Sequence, residues 1–498
     1  MIAFTLCCTG LFLLWRANAG VDVERLQLGP TPISVFRAAG AEAGEARPVV
    51  VIAHGFAGSQ QLMQPFAITL AKNGFLSVTF DYLGHGRNLA PLTGDITNAE
   101  GATRALVAQT REVVAFALDL PDAGDDLAVL GHSMASDIVV RYAQSDPRVA
   151  ATVAVSMFSP VVEAASPKNL RVIGGDLEGF LKQEALRVLG LVMPAPAEGV
   201  TVGSFADGTA RRVAFADSVE HVGVLYSQES MREARDWLTE VFALTKGEYA
   251  DRRGLAVVLL LLGVVLLAWP LSRALPGVCR PRVGAALSWR QLLPGALIPA
   301  VTTPLVLFWF PADFFGVLVG GYLAVHFFVY GLITYTCVRF LRRSRVPPAK
   351  VPVTRLLLSA TLATLYVAGL VALVLDTFVA SFAVTAPRLP LVLLMFAGTL
   401  SYFLADEWLA QGETTAFGGH LFTRLCFLLS LGIAVTLSLE ELFFLLIIAA
   451  VILIYFLVYG CFSRWIYRAT GHPAVGAIAN AVAFAWALAA VFPMLAKS

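Results

Sequence analysis

Two rhythms of apolar and polar positions divide the chain. From Val21 to about Ala250 short apolar runs alternate with amphipathic stretches and glycine-rich breaks, and from Leu255 onward long apolar runs dominate, the change falling between Gly247 and Gly254. In the first region Pro48–Ala53 (PVVVIA), which stops at His54-Gly55, and Gly74–Phe80 (GFLSVTF), which ends in Asp81-Tyr82-Leu83-Gly84, have the pattern of strands buried on both faces. Between them Leu62–Lys72 has helical spacing, and residues 99–118, rich in Ala, Val, Arg and Glu, predict a second helix. A third strand at Leu127–Leu130, a helix from Met134 to Gln144, strands at 149–156, 170–173 and 211–216, and a helix from Glu229 to Phe242 continue the alternation. That alternation predicts an α/β domain with a mostly parallel sheet. The Asp207-Gly208 pair ahead of the last strand suits a hairpin turn.

The second region holds apolar runs at about 255–271, 292–310, 315–338, 356–375, 389–405, 421–438, 442–462 and 474–495, which predict eight membrane-crossing helices in an all-helical bundle. The first fifteen residues, MIAFTLCCTGLFLLW, form another apolar run. It lacks the basic start of an export signal, so it is expected to be an uncleaved ninth span rather than a cleaved leader. The expected domains are therefore 1–20 (anchor or signal), 21–250 (α/β) and 255–498 (membrane).

Charge orients this arrangement. If the helices cross in turn, Arg273, Arg280, Arg282, Arg290, Arg339, Arg342, Arg343, Arg345, Lys350, Arg355, Arg424, Arg464 and Arg468 share one side, whereas Arg388 alone marks the other. The positive-inside tendency then puts the basic side in the cytoplasm and exports the α/β domain, with an inner-membrane, periplasm-facing location expected. Arg16, Lys246, Arg252 and Arg253 run against the rule, but flanks of a translocated domain constrain topology less than short loops do. Residues 255–498 carry 15 Lys/Arg against 7 Asp/Glu, so the preceding region is acidic, which argues against a nucleic-acid partner. Cys7, Cys8, Cys279, Cys337, Cys426 and Cys461 all lie in or beside apolar spans. No cysteine pair has metal-ligand spacing, and neither metal nor organic cofactor is expected.

Candidate chemistry gathers where the central strand gives way to a helix. Gly131-His132-Ser133-Met134-Ala135 differs from the G-x-S-x-G nucleophile turn only at its last position, where alanine keeps the side chain small. A serine needs a base, and His221 is the sole histidine of this region downstream of Ser133. The third group must be acidic and lie between them in chain order; Glu178 and Asp176 both follow the strand at 170–173. The backbone amides of Met134 and Phe56, the latter in the loop His54-Gly55-Phe56-Ala57, are candidates for binding an oxyanion. His54 and His85 end strands and are expected to shape loops. In the membrane region, Asp376, Asp406, Glu407, Glu440 and Glu441 lie near span ends and are expected to be solvated there, and His326 to make an interhelical hydrogen bond.

Through HGFAG at 54–58, DYLGHG at 81–86, GHSMA at 131–135, GGDLE at 174–178 and EHVGVLYS at 220–227, residues 21–245 resemble the α/β-hydrolase family. The resemblance implies hydrolysis of esters, thioesters or amides through an acyl-enzyme without a cofactor, and the family's G-x-x-D pattern ranks Glu178 above Asp176. Family members often insert a lid before the acid strand; here 157–169 is too short for a helical one, so an open cleft, or one covered by another part of the chain, is expected. With a membrane tether beside it, the substrate expected is a membrane lipid or acylated small molecule. An acyltransferase using the same groups, and a transporter or scaffold with a non-catalytic domain, are the rival readings; a homo-oligomer through the membrane region is a further expectation.

Overall fold

The computed structural model describes residues 1–40, 45–95, 99–245, 247–310, 319–341, 351–413, 415–442 and 444–496. Arg342, Arg343, Arg345, Lys350 and Lys246 lie outside them, as does part of the run at 315–338. Two compact units emerge. One comprises Leu6–Leu260 with Asp376–Ser381 and Pro493–Ser498, and the other Met1–Thr5, Leu261–Leu375 and Phe382–Phe492.

The first unit begins within helix α1 (Ile2–Asn18) and contains strands β1 (Val21–Leu28), β2 (Thr31–Ala38), β3 (Arg47–Ala53), β4 (Leu76–Phe80), β5 (Ala123–His132), β6 (Val149–Val155), β7 (Leu170–Gly175) and β8 (Arg211–Ala216). Its helices are α2 (Gln64–Ala71), α3 (Arg104–Leu118), α4 (Met134–Ser145), α5 (Gly179–Gly190) and α6 (Gln228–Val241). The strands form one eight-stranded sheet in the order β1-β2-β4-β3-β5-β6-β7-β8. β1 and β2 are antiparallel, and every pairing from β4 through β8 is parallel. Every residue of β3, β4 and β7 is buried, because helices cover both faces; that is why these strands read as unbroken apolar runs. After β3 the chain passes to β4 on one side and then to β5 on the other, which opens a crevice at the carboxyl ends of the central strands. The turn at Asp207-Gly208 is closed by a single antiparallel bridge, Val202 to Arg211, rather than a full hairpin.

Three elements of this unit were not expected from the sequence: β1, β2 and α5. β1, VDVERLQL, is an exposed edge strand whose charged residues discourage pairing with another chain, and those charges hide its strand character.

The membrane-spanning C-terminal region contains α7 (Arg253–Ser272), α8 (Trp289–Leu307), α9 (Gly320–Leu341), α10 (Val353–Thr364), α11 (Val371–Phe378), α12 (Leu389–Ala410), α13 (Gly419–Leu437), α14 (Leu439–Leu442), α15 (Phe444–Thr470) and α16 (Pro473–Val491). A π-helical stretch, Leu365–Leu370, joins α10 and α11 into one span. Among the described residues seven helices are long and apolar enough to cross a membrane, one fewer than the eight expected in this region. The one not counted is α8, which begins Trp-Arg-Gln and carries Pro294, Pro299 and Pro304. α1, at 17 residues, is a shorter apolar helix, at the low end of the length that spans hydrocarbon. Small residues set the packing: a Cβ on Gly331 would fall 2.4 Å from the Ser401 carbonyl carbon, and one on Gly398 2.2 Å from the Ala324 oxygen, so α9 and α12 pack backbone to backbone. His326 of α9 bonds Ser430 Oγ of α13 at 3.0 Å. Asp406 and Glu407 are buried rather than solvated, because Arg424 and His420 partner them.

Candidate active site

Ser133 stands between the last residue of β5 and the first of α4, in the crevice at the carboxyl edge of the sheet. Its backbone, at φ 55° and ψ −119°, is one that a residue with a Cβ seldom adopts, and strain of this kind persists only where the surroundings enforce it. Here they do. The Ser133 amide donates to the Val155 carbonyl of β6 at 2.9 Å, and the Ser133 carbonyl accepts from the Ser136 amide and hydroxyl at 2.8 and 2.6 Å. A Cβ on Gly131 would sit 2.4 Å from the Ala135 carbonyl oxygen, so strand and helix touch at that point. Ala135 itself is fully buried in the place where glycine is usual in such turns.

The loop after β3 closes on the serine from the other side. A Cβ on Gly55 would lie 2.9 Å from Ser133 Cβ, which explains glycine there. His54 fixes the loop: its Nδ1 donates to the Gly55 carbonyl at 2.8 Å while Nε2 accepts the Tyr82 amide at 3.0 Å, and burial holds its pKa below the ordinary histidine value. His85 bonds the Leu83 carbonyl through Nδ1 and faces the Phe56 ring edge-on at 5.9 Å. Phe56 thus lies in the loop packed on Ser133, and Met134 opens α4.

His221 follows β8 and reaches the serine across two strands. Its Nε2 is 2.8 Å from Ser133 Oγ, and its Nδ1 is 2.5 Å from Glu178 Oε1, so one imidazole bridges hydroxyl and carboxylate. Glu178 comes from the turn after β7. Its Oε2 accepts the Gly175 amide at 2.6 Å and the Ser156 hydroxyl at 2.8 Å. Burial alone would push this carboxyl up, but the bonds from His221, Gly175 and Ser156 prevail and hold it below the usual carboxylate value, in its charged form. Asp176 is not part of the cluster: it points outward and pairs with Lys182 Nζ at 2.5 Å.

Two supporting groups went unrecognised in the sequence. Ser156, at φ 50° just past β6, carries no motif, and only its strand-end position marks it. His132, read there only as part of the turn, faces the His221 carbonyl at 3.0 Å through Nε2. Burial first, then the nearby His221, drives its pKa down to about 3, so it is a neutral donor that fixes the His221 backbone.

Residues 44–199 match the family described as Serine aminopeptidase, S33. The N-terminal unit is an α/β-hydrolase-like domain of this S33/esterase group. The match takes in Ser133 and Glu178 and ends before His221. Solved structures similar to the hydrolase domain include a hypothetical protein from Pseudomonas aeruginosa (12% identity over 46% of this chain and 95% of that one, TM-score 0.34). Others are a membrane phospholipase A described as a bacterial virulence factor (14%, 48% and 93%, 0.33) and a methylesterase (14%, 52% and 68%, 0.34). No curated protein matches the chain.

Around the hydrolase domain's site no helix intervenes between β6 and β7. The residues flanking the triad geometry are apolar and open: Leu177 and Phe180 on either side of Glu178, Val222 next to His221, and Phe158, whose ring is 5.8 Å from that of Phe180. Segments from distant parts of the sequence complete the same unit. Ser381 donates its amide to Ser59 Oγ at 2.8 Å, Asp376 pairs with Arg87 at 2.5 Å, and Leu495 bridges to Leu92.

Proposed function

We propose that the protein is a membrane-anchored serine hydrolase that cleaves an ester or thioester of a lipid or acylated substrate. The observation that carries this reading is the continuous Ser133–His221–Glu178 hydrogen-bond chain on a strained strand-to-helix turn. In the reaction, Ser133 Oγ attacks the substrate carbonyl carbon and passes its proton to His221 Nε2, and Glu178 stabilises the imidazolium through Nδ1. The carbonyl oxygen, now negative, is held by the amides of Met134 and Phe56. Collapse expels the alcohol or thiol with the proton from His221. Water then loses a proton to His221 as it attacks the acyl-serine, and the acid leaves with Ser133 restored. The apolar rim formed by Leu177, Phe180, Phe158 and Val222 supports a substrate with a long acyl chain, since four such residues are costly to leave facing water without a use. The excess of Lys and Arg in the sequence loops on one side of the apolar runs supports a hydrolase domain on the extracytoplasmic face.

A fluorophosphonate probe tests this directly. The intact chain is expected to label, and Ser133→Ala to abolish labelling without loss of folded protein; absent labelling of the folded wild type would sink the proposal. Glu178→Gln should lower turnover by about 10³- to 10⁴-fold, whereas Asp176→Asn should stay within about twofold of wild type, since the Asp176 carboxylate points outward and pairs with Lys182. Long-chain esters presented in detergent should outrun short soluble ones, and the reverse order would remove the lipid assignment.

A further inference from the structure

Within the membrane-spanning unit, α13 and α15 border a cavity of about 600 Å³ whose polar wall is basic. Arg282, Arg424, Arg464 and Arg468 line it together with His420, against one acid, Glu413. Arg282, Arg464 and Arg468 make no ion pair among the described residues, so the wall carries uncompensated positive charge. Topology alone would ask only for basic residues near helix ends. It does not ask for the fully buried Arg424 beneath them, which is built in: Nη2 donates to Glu407 Oε1 at 2.7 Å and Nη1 to the Phe456 carbonyl at 2.6 Å, while Nε makes no hydrogen bond. Gly460 makes this reach feasible, because a Cβ there would fall 2.4 Å from Arg424 Nη1.

Along α15, Leu457, Cys461, Arg464 and Arg468 follow at three- and four-residue steps and all line the cavity, so one helix stripe runs from apolar to basic. α13 contributes Leu421 on the apolar side. Arg468 also lines a neighbouring cavity of about 300 Å³ with Arg273, Arg280, Trp269 and Trp465, and Arg273 lies over the Trp269 ring at 4.0 Å. Tryptophans beside arginines mark the headgroup level of a bilayer. Asp406, Glu407 and His420 are close enough together to hold a cation, but the Arg424 guanidinium already fills that part.

We infer that this cavity binds the phosphate group of an anionic amphiphile, with Arg282, Arg464 and Arg468 on the phosphate oxygens and the chain lying along Leu421, Leu457 and Cys461. Arginine suits phosphate because its planar donors engage two oxygens at once, and basic pockets between spans at headgroup depth hold anionic lipids. The shared chemistry is a phosphate, from a lipid headgroup or from free solute.

The test uses the delipidated full-length chain in neutral detergent, titrated separately with dioleoyl phosphatidylglycerol, dioleoyl phosphatidylcholine and inorganic phosphate while tryptophan fluorescence and thermal midpoint are followed. Phosphatidylglycerol is expected to bind at least tenfold more tightly than phosphatidylcholine. Arg464→Gln with Arg468→Gln should weaken it at least tenfold, with the lipid-free thermal midpoint and gel-filtration profile of the variant serving as the check on folding. Displacement by millimolar inorganic phosphate would assign the site to a soluble phosphate, and its failure to a lipid headgroup. Equal binding of the two lipids with no effect of inorganic phosphate, or binding unaltered in the folded double variant, would overturn the inference. Should the double variant not fold, Arg282→Gln, altering a residue exposed at the cavity rim, carries the same expectation.

Discussion

At Glu178 one carboxylate has three donors, a histidine, a backbone amide and a serine hydroxyl, and each favours its charged form over the protonated one. Two residues earlier in the chain, the exposed Asp176 carboxylate meets the half-buried Lys182. The sequence left both acids open because a short turn does not announce which side chain swings inward; the decision lies with the Gly175 amide and with Ser156, donated by a different strand. His132 makes a pH-dependent contribution whose sign is definite. Folded, it stays neutral down to about pH 3; unfolded, it takes up a proton near pH 6.5. Between those values the unfolded state binds more protons, so stability present above pH 6.5 is lost as the pH falls through that window. Buried His54, also depressed, adds to the same trend. Denaturant unfolding of the hydrolase domain should therefore weaken from pH 7 to pH 5, and His132→Gln should flatten the slope by up to about 1.4 kcal/mol per pH unit. An unchanged slope would mean that His132 is protonated in the folded protein.

Among elements, the buried strands and their following turns were legible because period and punctuation agree: β3, β4 and the end of β5 are mostly apolar runs stopped by histidine, aspartate or glycine. β1 was not, since an exposed edge strand carries charges that mask alternation; β2 (TPISVFRA), mostly buried between β1 and β4, was missed beside it, and α5 was hidden by the acidic turn that precedes it. Among the described residues α8 is the helix of this region that is less apolar than the other long ones, because it carries three prolines and a polar first turn. The β5–α4 junction is the element whose tolerance is narrowest. Gly131→Ala should destabilise the hydrolase domain by about 2 kcal/mol or more, because its Cβ would meet the Ala135 carbonyl, a backbone atom that cannot rotate away. Thermal melting of the variant checks this, and a midpoint equal to wild type would mean that the helix start relaxes.

For the molecule as a whole, the sequence divides cleanly at about residue 252, but the folded units do not follow that line. Residues of the hydrolase unit are supplied from Asp376–Ser381 and from Pro493–Ser498: the Met494 amide donates to the Gly84 carbonyl at 3.0 Å, and Leu92 and Ala496 add two further backbone bonds to this segment. No local pattern foretold this, because pairing between residues 400 positions apart leaves no trace in either segment alone. A ribosome making this chain therefore reaches the residues that zip the loop at 84–92 long after that loop has emerged, and until then the loop has open backbone edges. A chain stopped at Phe492 should be nicked by protease within residues 84–95 at doses the full chain survives; equal resistance would mean the tail is ornamental. Maturation of the loop beside Asp81 is in this sense postponed until residues 494–496 exist, so a chain broken off before them would carry a marked point of attack for degradation.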